Sequence, residues 1–175
     1  PIIYFIPPQI WAWRKKRVFQ VKRFVDKAIC ILPFEKKIYK DYSIDAVYTG
    51  HPFIRLVKPL YSREDFFRIA GIDGSCPILT IMPGSRENEV KKHIPVLIDI
   101  IEAIEKRIGN LKVLLPLAEN IDRNMIEKYR KVNMRIVYLN GLSYDALGNA
   151  DLAIIASGSA TLEAAILGTP TIVIY

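Results

Sequence analysis

The sequence predicts an α/β fold, a parallel sheet with helices on both faces. Three observations point there. Short continuous apolar runs recur at Ile78–Met82, 112–116, 135–139, Leu152–Ala156 and 171–175. They are too short for helices and rich in β-branched residues, as strands buried on both faces are. Stretches of helical periodicity at 94–108, 122–132, 143–147 and 160–167 alternate with them, which is the rhythm of crossover units. Finally, two strand ends run into small-residue turns, Pro83-Gly84-Ser85-Arg86 and Ser157-Gly158-Ser159-Ala160-Thr161. Ligands of parallel sheets sit at such carboxyl ends.

In chain order, 1–6 reads as a strand ended by Pro7-Pro8, which cannot donate to a ladder. Gln9-Ile10-Trp11-Ala12-Trp13 then leads into Arg14-Lys15-Lys16-Arg17. Apolar residues at Val18, Val21, Val25, Ala28 or Ile29, and Leu32 predict one amphipathic helix, with Lys16, Gln20, Arg23 and Lys27 on its cationic face. Trp11 and Trp13 beside Arg14, Lys15, Lys16 and Arg17 suit an anionic lipid surface or acidic lipid head group. The same composition suits nucleic acid, or a solvated helix face with the indoles in the core. A short helix follows from Pro33 to about Tyr42, then a strand at 45–49. Gly50-His51-Pro52 breaks the pattern and divides the chain into 1–52 and 53–175, with His51 a turn residue. Ser62-Arg63-Glu64-Asp65 opens a capped helix that Gly71 ends. Ile94, Leu97, Ile98, Ile101, Ile104 and Ile108 form the apolar stripe of the longest helix.

Composition narrows the function classes. The 175 residues are 51% hydrophobic and 25% charged with a net charge of +7, values of a globular protein. No apolar run approaches the roughly 20 residues that cross a bilayer, and the basic cluster follows the first apolar stretch, unlike a signal peptide. Cys30 and Cys76 have no second Cys or His at ligand spacing, so neither a disulfide framework nor zinc is expected. A cytoplasmic location follows. The chain opens on Pro1 and stops at Tyr175 inside apolar strands, so it is expected to be part of something longer.

The chemistry is expected at the two turns. In Ala156–Glu163 a buried strand meets small hydroxyl and Gly residues at a helix start, where bare N–H groups and the helix dipole suit phosphate. An ordinary strand-to-helix turn with Ser as N-cap has the same composition. Glu163 offers a carboxylate to a pair of sugar hydroxyls. Gly84 lets a ligand approach the backbone, and Arg86 supplies a planar, permanently charged fork for phosphate oxygens. Together the turns would grip a diphosphate without metal. Glu87 and Glu89 read as first-turn charges favouring the helix dipole. No Walker-type Gly-Lys-Ser/Thr and no Gly-x-Gly-x-x-Gly is present, against a triphosphatase or a dinucleotide enzyme.

Pro8-Gln9-Ile10-Trp11-Ala12-Trp13-Arg14, Leu32-Pro33-Phe34-Glu35, Gly50-His51-Pro52, Pro83-Gly84-Ser85-Arg86 and Ser157–Glu163, in that order, resemble bacterial lipid-A-disaccharide synthase. The resemblance covers essentially the whole chain. It implies a GT-B fold of two Rossmann-like domains, both incomplete here: the end of an acceptor domain in 1–52 and the start of a donor domain in 53–175. It implies a cofactor- and metal-free transfer from UDP-2,3-diacylglucosamine to 2,3-diacylglucosamine 1-phosphate (lipid X), at the cytoplasmic face of the inner membrane. By that resemblance Gly84, Ser85, Arg86, Ser157, Gly158, Ser159 and Thr161 face the UDP diphosphate. Glu163 holds the ribose, and uracil lies against Leu139 and Asn140. Trp11, Trp13, Arg14, Lys15, Lys16 and Arg17 face lipid or the anionic membrane surface, and no nucleic acid is bound. The catalytic base is expected outside these residues, so the chain alone would be inactive. A UDP-N-acetylglucosamine 2-epimerase-like enzyme shares the architecture and a similar donor loop. A non-catalytic membrane- or nucleic-acid-binding module would have no affinity for UDP.

Overall fold

Parallel pairing governs every strand in the computed structural model, which describes residues 1–131 and 134–175. Two units separate, Pro1–Leu56 and Val57–Tyr175. The first holds β1 (Ile3–Phe5), α1 (Arg17–Phe24), β2 (Lys27–Cys30), α2 (Glu35–Asp41), β3 (Ala46–Tyr48) and α3 (Phe53–Leu56), with sheet order β1-β2-β3. The one-turn helix α3 was not expected. It follows the Gly50-His51-Pro52 break, where His51 acts as a turn residue: its Nδ1 accepts the Phe53 N–H at 3.1 Å.

The long amphipathic helix expected from Val18 to Leu32 is two elements. Helix α1 ends at Phe24, Val25 is extended (φ −114°, ψ 123°), and β2 follows at Lys27. Both periodicities fit the sequence, because apolar residues run unbroken from Ala28 to Leu32. The strand wins because β2 is the central strand, paired on one side with β1 and on the other with β3. Ala28 and Cys30 bury completely on one face, and the backbone finds ladder partners on both sides. Lys27 therefore leaves the cationic helix face and pairs with Asp45 at 3.2 Å.

The second unit holds α4 (Arg63–Ala70), β4 (Ile78–Met82), α5 (Glu87–Ile108), β5 (Lys112–Leu117), α6 (Asn124–Glu127), β6 (Ile136–Asn140), α7 (Ser143–Gly148), β7 (Leu152–Ala156), α8 (Ser159–Leu167) and β8 (Thr171–Ile174). Ser62 caps α4 by accepting the Asp65 N–H, and Gly71 ends it in the left-handed conformation. The sheet order is β6-β5-β4-β7-β8. Alternate residues of β4 face opposite ways: Leu79 and Ile81 join the α5 stripe, while Ile78 joins Phe66 and Ala146 from α4 and α7. Helices thus cover both faces, as the apolar strands require.

Helix α5 begins at Glu87, ahead of the periodic stretch at 94–108, with Glu87 and Glu89 in its first turn as expected and Pro95 inside it. Pro95 removes the hydrogen bond to the Lys91 carbonyl and crowds that carbonyl with its ring, at about 3 kcal/mol. Against that, Val90, Ile94, Leu97, Ile98 and Ile101 are all buried on the sheet, at about 1.5–3 kcal/mol each as an upper estimate. The helix expected at 122–132 is the single turn α6 followed by i→i−3 turns to Arg130; Val132 lies outside the described residues. That stretch buries only Met125 and Ile126 in its helical turn, too little apolar surface to hold a longer helix.

Candidate functional site

Strands β4 and β7 lie side by side, with Met82 in register with Ile155. From β4 the chain travels outward through β5 and β6, then returns to place β7 and β8 on the other side. The sheet therefore reverses its direction of growth between β4 and β7, and a crevice opens at the carboxyl ends of strands at such a switch point. Both candidate turns leave from there. They line one hollow of about 330 Å³ that includes Gly84, Ser85, Arg86, Ser157, Gly158, Ser159 and Glu163, closed on the β5 side by Pro116–Ala118 and on the α7 side by Ser143.

Each wall has a local cause. Helix α8 starts at Ser159 behind Gly158, which has no side chain to cap the helix; its carbonyl accepts the Thr161 N–H at 3.2 Å. The Ser159 and Ala160 N–H groups open the helix with no intrahelical acceptor. The Ser-as-N-cap alternative is thus not what folds. The Ser157 N–H is already committed to the sheet, donating to the Ile174 carbonyl at 2.7 Å, so Ser157 has only its hydroxyl to offer the hollow. Thr161 does not reach it: its hydroxyl donates back to the Gly158 carbonyl at 2.7 Å, closing the first turn of α8.

The β4 turn is held from behind. His93 Nδ1 lies 2.7 Å from the Pro83 carbonyl, and the Asn120 amide donates to the Ser85 carbonyl at 3.0 Å. Arg86 Nη1 pairs with Glu89 Oε1 at 2.5 Å, an exposed pair at the mouth. That hydrogen bond holds the Glu89 carboxyl below the usual glutamate range. Gly84 adopts φ +120°, and a Cβ there would stand 2.8 Å from Glu89 Oε2 and 3.1 Å from Glu89 Cβ. The missing side chain makes room for Glu89, a reason the sequence alone did not suggest, while Gly84 itself lines the hollow.

Glu163, half-buried on α8, lines this hollow and a neighbouring one of about 260 Å³ with Leu60, Gly141, Ser143, Tyr144 and Asp145. Burial raises its carboxyl, so it holds a proton more readily than an exposed glutamate. Burial, then the charge of Glu163, raises the Tyr144 phenol. Asp145 is fully buried, and its Oδ1 accepts the N–H groups of Leu60 and Tyr61 at 2.9 Å each. Leu139 does not line the hollow. It is 5% exposed and packs with Phe66, Ile78 and Leu114, because its alternate position on β6 points into the core. Asn140 ends β6 exposed, in register with the lining residue Leu117.

In the first unit the Trp11 indole N–H donates to Glu35 Oε1 at 3.2 Å, and its ring meets Phe34 edge-on at 5.0 Å. Trp13 is 70% exposed. Arg14, Lys15, Lys16 and Arg17 are exposed in the turn that opens α1, whose first turn has no acidic residue. Cations at the positive end of a helix are poorly placed unless an anion joins them.

Fold and site define a class: α/β proteins with a hollow at the switch point of a parallel sheet. The family model described as lipid-A-disaccharide synthetase matches residues 1–175, and the chain belongs to that family. The lipid-A-disaccharide synthase of Solibacter usitatus is 38% identical over 175 residues, 100% of this chain and 45% of its own length. That of Syntrophus aciditrophicus is 37% identical over 179 residues, 100% of this chain and 46% of its own length. The chain thus spans about half the length of the curated relatives it matches. Among solved structures, HepE of Anabaena in complex with UDP-glucose aligns at TM-score 0.51 and 14% identity, over 99% of this chain and 53% of its own. That likeness concerns the fold alone, the α/β arrangement of GT-B type.

Proposed function

We propose that this chain is the UDP-sugar-holding part of a lipid A glycosyltransferase. The reaction would transfer 2,3-diacylglucosamine from UDP-2,3-diacylglucosamine to lipid X, giving lipid A disaccharide 1-phosphate and UDP. The observation that carries the reading is the shared hollow: Arg86 from one turn and the open start of α8 from its neighbour face one space at the switch point. Membership of the lipid-A-disaccharide synthetase family supports the identity of the sugars.

In this mechanism Ser85, Arg86 and the Ser159–Ala160 amides hold the diphosphate, with the Ser157 hydroxyl beside them. As the anomeric bond breaks with inversion, charge grows on the departing UDP, and the guanidinium and helix end stabilise it more than the ground state. Glu163 accepts hydrogen bonds from ribose hydroxyls. The acceptor 6-hydroxyl loses its proton to a carboxylate outside these residues, and the transfer is metal-independent as the family resemblance implies. This chain alone therefore binds UDP without turnover. Trp13 and the Arg14–Arg17 cations meet an anionic inner-membrane surface from the cytoplasmic side, which supplies the anion their helix end lacks.

Radiolabelled UDP-diacylglucosamine and lipid X, given to the full-length protein carrying this chain, test the reading. Labelled disaccharide with release of UDP is expected; UDP release without disaccharide, or neither, would reject it.

A further inference from the structure

Arg86 is on a long flexible stem at the rim of the hollow, its side chain 79% exposed. Such a side chain loses much rotamer freedom when it is fixed, so something has to aim it before a ligand arrives. Glu89 is built to do so. It lies in the first turn of α5, three residues after Arg86, and its N–H donates to the Arg86 carbonyl at 3.0 Å. One carboxylate oxygen takes the guanidinium Nη1 at 2.5 Å. The other oxygen and the Cβ occupy the space left by Gly84, 2.8 and 3.1 Å from where a Cβ would be. Glu89 therefore touches both the guanidinium and the turn that carries it, and it lines the hollow itself. A charge that served only the helix dipole would need neither contact.

Resting on the diphosphate reading above, we propose that Glu89 is a positioning residue that acts through Arg86. It directs the guanidinium across the mouth of the hollow while its own negative charge keeps the resting grip on the diphosphate weak. The guanidinium fork keeps donors besides Nη1 for phosphate oxygens while Nη1 stays on Glu89. Glu89 gives orientation during departure of UDP and opposes tight product binding.

The test uses the full-length protein, with Glu89→Ala, Glu89→Gln, Arg86→Ala and the double variant Arg86→Ala/Glu89→Ala. Turnover is measured with UDP-diacylglucosamine and lipid X, and UDP affinity by calorimetry. Glu89→Ala is expected to lower kcat on the order of tenfold while UDP binds several-fold more tightly. Glu89→Gln, which still accepts one hydrogen bond, recovers part of kcat and serves alone if the alanine variant does not fold. In the Arg86→Ala background the Glu89→Ala change moves kcat by less than about twofold, because the partner through which it acts is gone. An equal loss of kcat in both backgrounds, or unchanged kcat and UDP affinity in the single variants, overturns the proposal. Absence of UDP binding by the wild-type protein instead rejects the diphosphate reading on which it stands.

Discussion

Gly84→Ala puts the geometry of the β4 turn to a quantitative test. At φ +120° an L-residue is in a region reserved in practice for glycine, and holding it there costs about 1–3 kcal/mol. The added methyl also falls 2.8 Å from Glu89 Oε2 and 3.1 Å from Glu89 Cβ. The carboxylate end can swing away, but the Cβ is fixed to α5, so relief comes from moving the turn or releasing Glu89. Either change frees Arg86 from its partner. At about 4 °C per kcal/mol for a domain of this size, thermal unfolding should fall by roughly 4–12 °C. As for Glu89→Ala, kcat should fall on the order of tenfold while UDP affinity by calorimetry rises several-fold. Gly158→Ala is the control for folding: its φ is 167°, which any residue adopts, and its Cβ meets nothing nearer than the Ala156 carbonyl at 3.9 Å. A Gly84→Ala protein with unchanged melting and unchanged UDP affinity would refute the account of this turn.

Further outcomes follow from other walls of the site. Asp145→Ala strands the Leu60 and Tyr61 N–H groups now held at 2.9 Å and should cost about 2–4 kcal/mol in a denaturant melt. Asp145→Asn keeps an acceptor for both and should cost under about 1 kcal/mol. The Glu163 carboxyl is raised by burial, so the ionised form that ribose hydroxyls would bond is lost as pH falls, sooner than for an exposed glutamate. UDP affinity in a pH titration should decline there, and Glu163→Gln should flatten the curve. Replacing Lys15 and Lys16 by Glu should weaken pelleting with anionic, but not neutral, vesicles, by roughly 1 kcal/mol per charge at low salt. Equal pelleting with both vesicle types would speak against a membrane-facing surface.

Much of this was legible in one dimension. Strands β4 and β7 appear in the sequence with the bounds they fold with, because buried parallel strands are unbroken apolar runs and small-residue turns mark their ends. Ser62, Asp65 and Gly71 announce α4 because capping is local chemistry. What failed was decided at a distance. The run from Val25 to Leu32 fits either period, and its two sheet neighbours settle it. Glu87 and Glu89 were legible as first-turn charges, but that Glu89 and His93 are partners of the β4 turn depends on how the turn folds back on α5. Leu139 and Thr161 are in the right segments, but the pleat turns one into the core and a local hydrogen bond turns the other away. The switch point itself depends on strand order, which no local pattern encodes.

The proposed chemistry needs the two turns to hold a pyrophosphoryl group between them. Isothermal titration of wild-type and Arg86→Ala protein with UDP, UMP and uridine addresses it in one series. Affinity should rank UDP above UMP above uridine, and loss of Arg86 should erase most of the gap between the first two while leaving uridine unchanged. Equal affinity for all three ligands, or an Arg86→Ala protein that still prefers the diphosphate as strongly as wild type, would contradict it.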